Sequence, residues 1–181
     1  MPIDFFIAPC AKVDGNCKKA GVVCKTTTNI ARFGISDKNS NKREPAFIDT
    51  ENQNIWELDV ENPKHKKLTF KAIDNCIDIF RDGGIEPIKK CEGFLFYENK
   101  ILFVELKNRK CGRWLVDARE KFEETILKFK ENYPNSEFEL LEPIVANKLF
   151  SGTHQSEMVQ KKILKDKIGL DFHIRNKITI N

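Results

Sequence analysis

The strongest hydrophobic pattern in the chain is a pair of apolar runs, residues 91–97 and 100–107, that flank a two-residue turn. Runs of aromatic, aliphatic and β-branched residues on either side of such a turn are typical of an antiparallel hairpin. If the two residues next to the turn pair with each other, counting outward places Glu92 opposite Glu105. The pattern therefore predicts two carboxylates on one rung of the ladder.

Both faces of this predicted hairpin are apolar. Successive side chains of a strand point to opposite faces, which sorts the hairpin residues into two sets. One face carries Glu92, Phe94, Phe96, Ile101, Phe103, Glu105 and Lys107, and the other carries Leu95, Tyr97, Leu102, Val104 and Leu106. A hairpin that is apolar on both faces is typical of the centre of a sheet. Burying two acids and a lysine at its end would cost free energy unless a cation or a partner neutralises the acids.

The rest of the pattern predicts further elements around the hairpin. The segment 68–80 fits both helical and alternating spacing, and the Asp82-Gly83-Gly84 turn after it favours a strand that continues into the hairpin. Apolar residues at helical spacing predict a helix over residues 113–131. The remaining predicted elements are a helix in residues 47–62, a strand over 138–146 with Pro143 at an edge or bulge, a basic helix over 156–165, and a terminal strand or hairpin over 170–180.

Length and composition are those of a globular protein. The 181 residues suit one domain, with 40% hydrophobic residues, 32% charged residues and a formal net charge of +4. No apolar run approaches the roughly 18 residues that span a bilayer, and Phe5-Phe6-Ile7-Ala8-Pro9 is too short for a signal peptide. We therefore expect a cytoplasmic protein without a membrane partner, with reduced thiols. Within the domain we predict an irregular N-terminal extension over 1–46, a core over 47–150, and a C-terminal helix and strand over 151–181.

The N-terminal extension carries three of the six cysteines. Cys10, Cys17 and Cys24 recur every seven residues without a CxxC pair. A zinc site would need a fourth ligand such as His65 or Cys111, so an irregular segment whose cysteines bind no metal is the simpler interpretation. If zinc is bound, the segment becomes a recognition module and the sheet its scaffold.

The predicted order is helix, strand, strand, strand, helix, strand, with an acid at the start of the second strand and Glu-x-Lys on the third. This order resembles the core of the PD-(D/E)XK nuclease superfamily, the restriction-endonuclease-like fold. Glu92 and Glu105-Leu106-Lys107 carry the resemblance, with the helix over 113–131 behind them. It covers about half of the chain, residues 66–146. The resemblance implies an α/β or α+β fold with a central mixed sheet of about four to five strands flanked by helices.

The resemblance also implies metal-dependent hydrolysis of phosphodiester bonds in DNA, in defence or repair. A hard cation such as Mg²⁺ or Mn²⁺ prefers carboxylate, carbonyl and water oxygens. Glu92, Glu105 and the backbone carbonyl of Leu106 would then be the metal ligands. Lys107 lies on the face of Glu105, where it would orient or help deprotonate the attacking water and stabilise the transition state. The expected catalytic residues are therefore Glu92, Glu105 and Lys107.

This sequence departs from the family pattern at one ligand. Cys91-Glu92 stands where the family has Pro-Asp, and the extra methylene of glutamate moves the carboxylate. The upstream helix of the family often adds a glutamate, for which Glu57 is the best match and Glu51 a poorer one. On the following helix, Lys121 stands where relatives often have a polar residue near the site.

Basic residues cluster next to the predicted site. Lys90 lies just before the first acid, and Arg109, Lys110 and Arg113 follow the Glu-x-Lys motif. A phosphate backbone needs cations beside the metal, so we expect these four residues to contact nucleic acid. A homodimer stays open, because many relatives dimerise to cut both strands.

Two other interpretations compete with the nuclease. Glu-x-Lys is a common sequence, and Glu105 and Lys107 could be the solvated end of a strand, with Glu92 paired to Lys107 in a salt bridge. Glutamate in place of aspartate at position 92 also fits a catalytically silent domain of the same fold that binds nucleic acid or a protein partner. A metal ion between Glu92 and Glu105 would separate these interpretations.

Overall fold

The predicted hairpin is the centre of an α+β fold. The computed structural model describes residues 3–6, 24–37, 44–110, 112–150 and 156–181. Over these residues the elements are β1 Lys25–Thr28, β2 Arg32–Ser36, β3 Phe47–Asp49, β4 Leu58–Glu61, β5 Leu68–Ala72, β6 Gly93–Tyr97, β7 Lys100–Lys107, α1 Trp114–Asn132, β8 Glu139–Leu140, β9 Ile144–Asn147, α2 Glu157–Ile168, β10 His173–Ile174 and β11 Lys177–Thr179.

A seven-stranded mixed sheet forms the middle layer. Its order is β1-β5-β6-β7-β9-β10, and β8 pairs with the N-terminal end of β7. Strands β5, β6 and β7 form an antiparallel meander, whereas β9 runs parallel to β7. A parallel neighbour requires a crossover connection, which α1 supplies. The predicted hairpin register is confirmed, since Tyr97 pairs with Lys100 and Gly93 with Val104.

The two faces of the hairpin pack against different layers, as its apolar pattern predicts. Phe94 and Phe103 face α1 and α2 and share a core with Phe122 and Leu164 of those helices. The opposite face packs against a four-stranded sheet of order β11-β4-β2-β3. That second core includes Leu95, Leu102 and Val104 of the hairpin with Phe33, Leu58 and Val60 of the four-stranded sheet. The hairpin is therefore buried on both sides, between helices and a second sheet.

Three elements predicted in the middle of the chain differ from the structure. The helix predicted in residues 47–62 is wrong, because this segment forms β3, a 3₁₀ turn and β4, and the backbones of both strands pair with β2. The segment 68–80 is a strand only as far as Ala72. The strand predicted over 138–146 breaks into β8 and β9 before Pro143, which has no N–H to donate to a ladder.

The strands described near both ends of the chain also differ from the prediction. The region 1–46, predicted to be irregular, contains β1 and β2, which belong to different sheets. Of the two alternatives for residues 170–180, a strand or a hairpin, the hairpin is wrong, because β10 pairs with β9 while β11 pairs with β4 of the other sheet. These additions make the mixed sheet larger than the predicted four to five strands.

Trp56 packs against a glycine of β2, on the face of the four-stranded sheet that points away from the hairpin. A β-carbon added at Gly34 would lie 1.9 Å from Cγ of Trp56, a residue that is 3% exposed and whose Nε1 donates to Asp49 at 3.0 Å. We expect Gly34→Ala to lower the free energy of unfolding by about 3 kcal/mol, because the indole cannot yield without losing this packing. Urea denaturation measures the effect. Gly84→Ala is the matched control, since its nearest non-neighbouring atoms lie 3.7 Å away, and it should stay within about 0.5 kcal/mol of wild type.

Candidate active site

Two carboxylates meet where the central hairpin ends. Glu105 is fully buried and Glu92 is 5% exposed. Glu92 directly precedes β6, and its backbone N–H donates to Oε2 of Glu105 at 3.2 Å. The sequence-predicted meeting of the two acids is therefore confirmed, although the ladder itself stops one residue earlier, at Gly93.

Two lysine ammonium groups approach the buried pair. Lys107 Nζ lies 2.8 Å from Glu105 Oε1 and 2.6 Å from Asp117 Oδ2. Lys121 Nζ lies 2.8 Å from the same oxygen of Glu105 and 3.4 Å from Glu92 Oε1. Lys121, which the resemblance places near the site, thus lies in its centre. The alternative pairing of Glu92 with Lys107 is wrong, because Lys121 takes that place.

Helix α1 supplies two of these charged groups, Asp117 and Lys121. Asp117 and Lys121 are four residues apart and therefore share one face of the helix, which lies over the end of β7. Together the contacts involve three carboxylates and two ammonium groups, a net charge of −1 when all are ionised. A site of this kind favours an additional positive charge.

Glu92 is the acid of the pair whose ionised form is less favourable. Burial, and then the neighbouring Glu105 carboxylate, raise the pKa of Glu92 well above its usual value. Burial lowers the pKa of Lys121, but the Glu105 and Glu92 carboxylates outweigh it and raise that pKa overall. Lys121 is therefore a firmly protonated counter-ion, and Glu92 is the acid whose charge is least well compensated.

Two further acids face the same charges, and sequence reasoning missed both. Asp37 follows β2, and burial, followed by Asp74, raises its pKa, with smaller effects from Lys121 and Glu105. Its Oδ1 is buried without a hydrogen-bond partner among the described residues. Asp74 lies in the turn after β5 and also raises the pKa of Glu92. No local spacing links these acids to Glu92, because only the pairing of the strands brings them near.

A cleft of about 610 Å³ opens beside Lys107. It is lined by Asp37, Asn54, Ile55, Trp56, Glu57, Leu106, Lys107, Asn108, Arg109, Lys148 and Leu149. Glu57, the better of the two upstream glutamates, is on the cleft wall, whereas Glu51 is exposed. Basic and acidic groups therefore share the cleft that borders the buried pair.

The four predicted nucleic-acid contacts divide into two groups. Arg109, Lys110 and Arg113 are exposed, and Arg109 lines the cleft. Lys90 is different, because its ammonium donates to the backbone carbonyl of Ile77 at 2.8 Å and its side chain is only 13% exposed. Its structural contact leaves Lys90 poorly placed to reach a phosphate.

The hairpin register determines the direction in which the backbone carbonyl of Leu106 points. In a two-residue hairpin the pair next to the turn exchanges hydrogen bonds, and every second pair after it does the same. By this alternation the carbonyl of Leu106 points to the β6 side of β7, beyond Gly93 where β6 begins. That is the side from which Glu92 approaches Glu105. The Leu106 side chain is buried in the core of the opposite face.

These donors fit a hard cation that keeps part of its water shell. Glu105 Oε1 is buried with the Lys107 and Lys121 ammonium groups each 2.8 Å away, so a cation would take the place that one of these ammonium groups occupies. No group of three or more His, Cys, Asp or Glu side chains among the described residues is arranged to hold a metal. Mg²⁺ commonly binds through one or two carboxylates and retains waters, so two acids and a carbonyl are sufficient donors.

The N-terminal zinc site predicted as an alternative falls mostly outside the described residues, as Cys10, Cys17 and Cys111 do. Of the other two candidate ligands, Cys24 is buried against Lys71 Nζ, at 3.2 Å. Nδ1 of His65 lies 3.0 Å from the carbonyl oxygen of Asn29.

Comparisons of the chain with protein-family models, with curated proteins and with solved structures found no match. Within the described part of the chain, neither helix has the length and apolar character needed to cross a membrane. The fold and the site therefore define an α+β protein that has a buried carboxylate pair, neutralised by lysine, at the edge of a cleft.

The raised pKa of Glu92 predicts how stability depends on pH. An acid with a pKa raised by folding binds more protons in the native state, so the free energy of unfolding falls as pH rises above the usual value of 4.5. In EDTA, Glu92→Gln should remove this fall, and its advantage over wild type should grow from pH 5 to pH 8. Urea denaturation across that range measures it.

Glu120→Gln is the control for this experiment. The Lys89 ammonium lowers the pKa of Glu120, so this substitution removes a weak stabilisation that is present at neutral pH. Its small effect should have the opposite sign. A Glu92→Gln protein that loses stability at pH 8 would contradict the unfavourable burial of Glu92.

Proposed function

We propose that this protein is a metal-dependent nuclease with a restriction-endonuclease-like core, which hydrolyses phosphodiester bonds in DNA, in defence or repair. One observation carries the proposal. Glu92 and Glu105 are buried side by side at the end of the central hairpin, with Lys107 of the Glu-x-Lys motif 2.8 Å from Glu105. Acids that destabilise the fold are typical of functional sites.

The order of elements supports the same proposal. The meander β5, β6, β7, the crossover helix α1 and the parallel strand β9 follow the strand, strand, strand, helix, strand order of the family core. The helix that begins the family order has no counterpart in residues 47–62, where β3 and β4 stand instead. The proposal therefore depends on the second half of the core, which holds the acids and Lys107.

In this proposal Glu92, Glu105 and the carbonyl of Leu106 hold Mg²⁺ or Mn²⁺. When bound, the cation would act as a Lewis acid on the phosphoryl oxygens. Lys107 would move its ammonium from Asp117 toward the phosphate, where it donates to the attacking water or to a phosphoryl oxygen as charge develops. Lys121 neutralises the acids before the cation arrives and must give up one of its two carboxylate contacts afterwards.

The cleft provides a place for the DNA strand beside this pair. Lys107, Arg109 and Lys148 line its basic part, and Lys110 and Arg113 are exposed nearby in sequence. Cations that contact phosphates hold the backbone in register without reading sequence. The acids Asp37 and Glu57 also line the cleft and would repel phosphate, so the strand would lie against the cations.

Cleavage should depend on Glu105 and Lys107 in different ways. Glu105→Gln keeps the shape of a ligand but removes its charge, so both Mg²⁺ affinity and cleavage should fall. Lys107→Ala should keep or tighten metal binding while cleavage falls by about two to four orders of magnitude. Nicking of supercoiled plasmid in Mg²⁺ or Mn²⁺ and calorimetric titration of the metal measure the two effects.

Lys100→Ala is the matched control, because Lys100 is at the opposite end of the same strand, about 23 Å away at the usual rise per residue. It should cleave like wild type. Equal activity of wild type and all variants, or equal inactivity with both metals and several substrates, would refute the enzymatic proposal.

Substitution of an exposed cation should affect DNA binding differently from substitution of Lys90. In Ca²⁺, Arg109→Ala should weaken DNA affinity and reduce the slope of log affinity against log salt by about 1, because one phosphate contact is lost. Lys90→Ala should leave this slope unchanged, since its ammonium already donates to Ile77. Fluorescence anisotropy with a labelled duplex at several salt concentrations tests both, and an unchanged slope for Arg109→Ala would remove the cleft as the binding surface.

A catalytically silent binding domain is the second candidate, and the position of Lys121 favours it. Its ammonium contacts both acids and already supplies the positive charge that the pair needs. If the domain is silent, wild type should bind neither Mg²⁺ nor Mn²⁺ at millimolar concentration, and Lys121→Met should create a binding site. If the domain is a nuclease, wild type itself should bind, and the same calorimetric titration distinguishes the two candidates.

A further inference from the structure

A buried lysine in β5, the strand next to the central hairpin, contacts two cysteine sulfur atoms. Lys71 is fully buried in the middle of β5. Its ammonium lies 2.9 Å from Sγ of Cys76 and 3.2 Å from Sγ of Cys24. Cys24 directly precedes β1, and Cys76 is in the turn that follows β5. Cys24, which is 47 residues from Lys71 in the chain, and Cys76, which is 5 residues from it, thus meet around one nitrogen.

A buried ammonium requires a compensating negative charge. Among the described residues no carboxylate lies within ion-pair distance of Lys71, and the groups that interact with its charge are the two thiols. The cation directly opposite, Lys25, increases the need for an anion, because the two lysines share a rung of the ladder. Lys25 turns its own ammonium to the carbonyl of Phe6, at 3.1 Å.

The charge of Lys71 is maintained by its sulfur neighbours. Burial lowers its pKa, but the contacts with Cys76 and Cys24 outweigh burial and raise that pKa overall. An ammonium at hydrogen-bond distance stabilises a thiolate in return, and the thiolate is the form of cysteine that reacts with oxidants and electrophiles. Cys76 is the more accessible of the two, since it is partly exposed whereas Cys24 is 2% exposed.

We propose that Cys76 and Cys24 form a peroxide-sensitive thiol pair that Lys71 activates. The Cys76 thiolate attacks one oxygen of hydrogen peroxide, the O–O bond breaks, hydroxide leaves, and a sulfenic acid forms. The sulfur of Cys24 then attacks the sulfur of Cys76, the S–O bond breaks, and water leaves with the Cys24 proton. The product is a Cys24–Cys76 disulfide that ties β1 to the turn after β5. This proposal does not depend on nuclease activity.

The first test measures the thiolate directly. Iodoacetamide alkylation of Cys76 in the reduced full-length protein, followed by peptide mass spectrometry from pH 5 to 10, should show a midpoint below the usual thiol value of about 8.5. Lys71→Met removes the charge but keeps an apolar chain of similar length, and it should slow alkylation at pH 6.5 about tenfold. Lys71→Arg is the control that keeps the charge, and it should retain the low midpoint. A Cys76 midpoint at or above 8.5 in wild type would overturn the proposal without any variant.

The second test identifies the oxidised product. Stoichiometric hydrogen peroxide should remove two hydrogen atoms from the mass of the protein and produce a Cys24–Cys76 linked peptide. Cys24→Ser should instead leave Cys76 as a sulfenic acid that dimedone traps. A disulfide that joins Cys76 to any other cysteine, or a Lys71→Met protein that oxidises as fast as wild type, would overturn the assignment.

Discussion

Neutralisation of the carboxylate pair at the end of the central hairpin is the constraint on which the site depends. Glu105 is fully buried, and Glu92 meets it because the hairpin register leaves no other position for it. Two buried acids are tolerated only beside cations, and two different elements supply these. Lys107 comes from β7 itself, while Lys121 comes from α1, whose position over β7 follows from the parallel crossover to β9.

The burial that makes this pair costly results from packing on both faces of the hairpin. One face packs against the helices and the other against the four-stranded sheet. Close approach of β5 to β6 is part of the same packing, since a β-carbon at Gly93 would lie 2.4 Å from the carbonyl oxygen of Lys71. A glycine directly after Glu92 therefore allows the sheet to remain tight at the point where the acid leaves the ladder.

The turn after β5 connects the acid pair with the buried lysine. Ile73 donates its backbone N–H to the carbonyl of Glu92 at 2.8 Å, and Cys76 donates its N–H to Ile73 at 3.1 Å. The same turn carries Asp74, which raises the pKa of Glu92. The backbone between residues 73 and 76 thus lies between the two charged clusters, and each cluster contains a group that is stable only with its counter-ion.

The sequence alone determined the hairpin, its register and the meeting of the two acids, because a two-residue turn and strict alternation leave one pairing that buries both apolar sets. It also determined the helix of α1, whose apolar spacing is unambiguous, and so the candidate residues Glu92, Glu105 and Lys107. The tertiary structure alone decided the strands β3 and β4, since their short apolar segments become strands by pairing with β2, a partner that local spacing does not reveal. It likewise brought Asp37 to the acid pair and Lys71 to Cys24 and Cys76. Asp37 and Cys24 are far in the chain from the groups that they meet, and only the order of strands in the two sheets places them together.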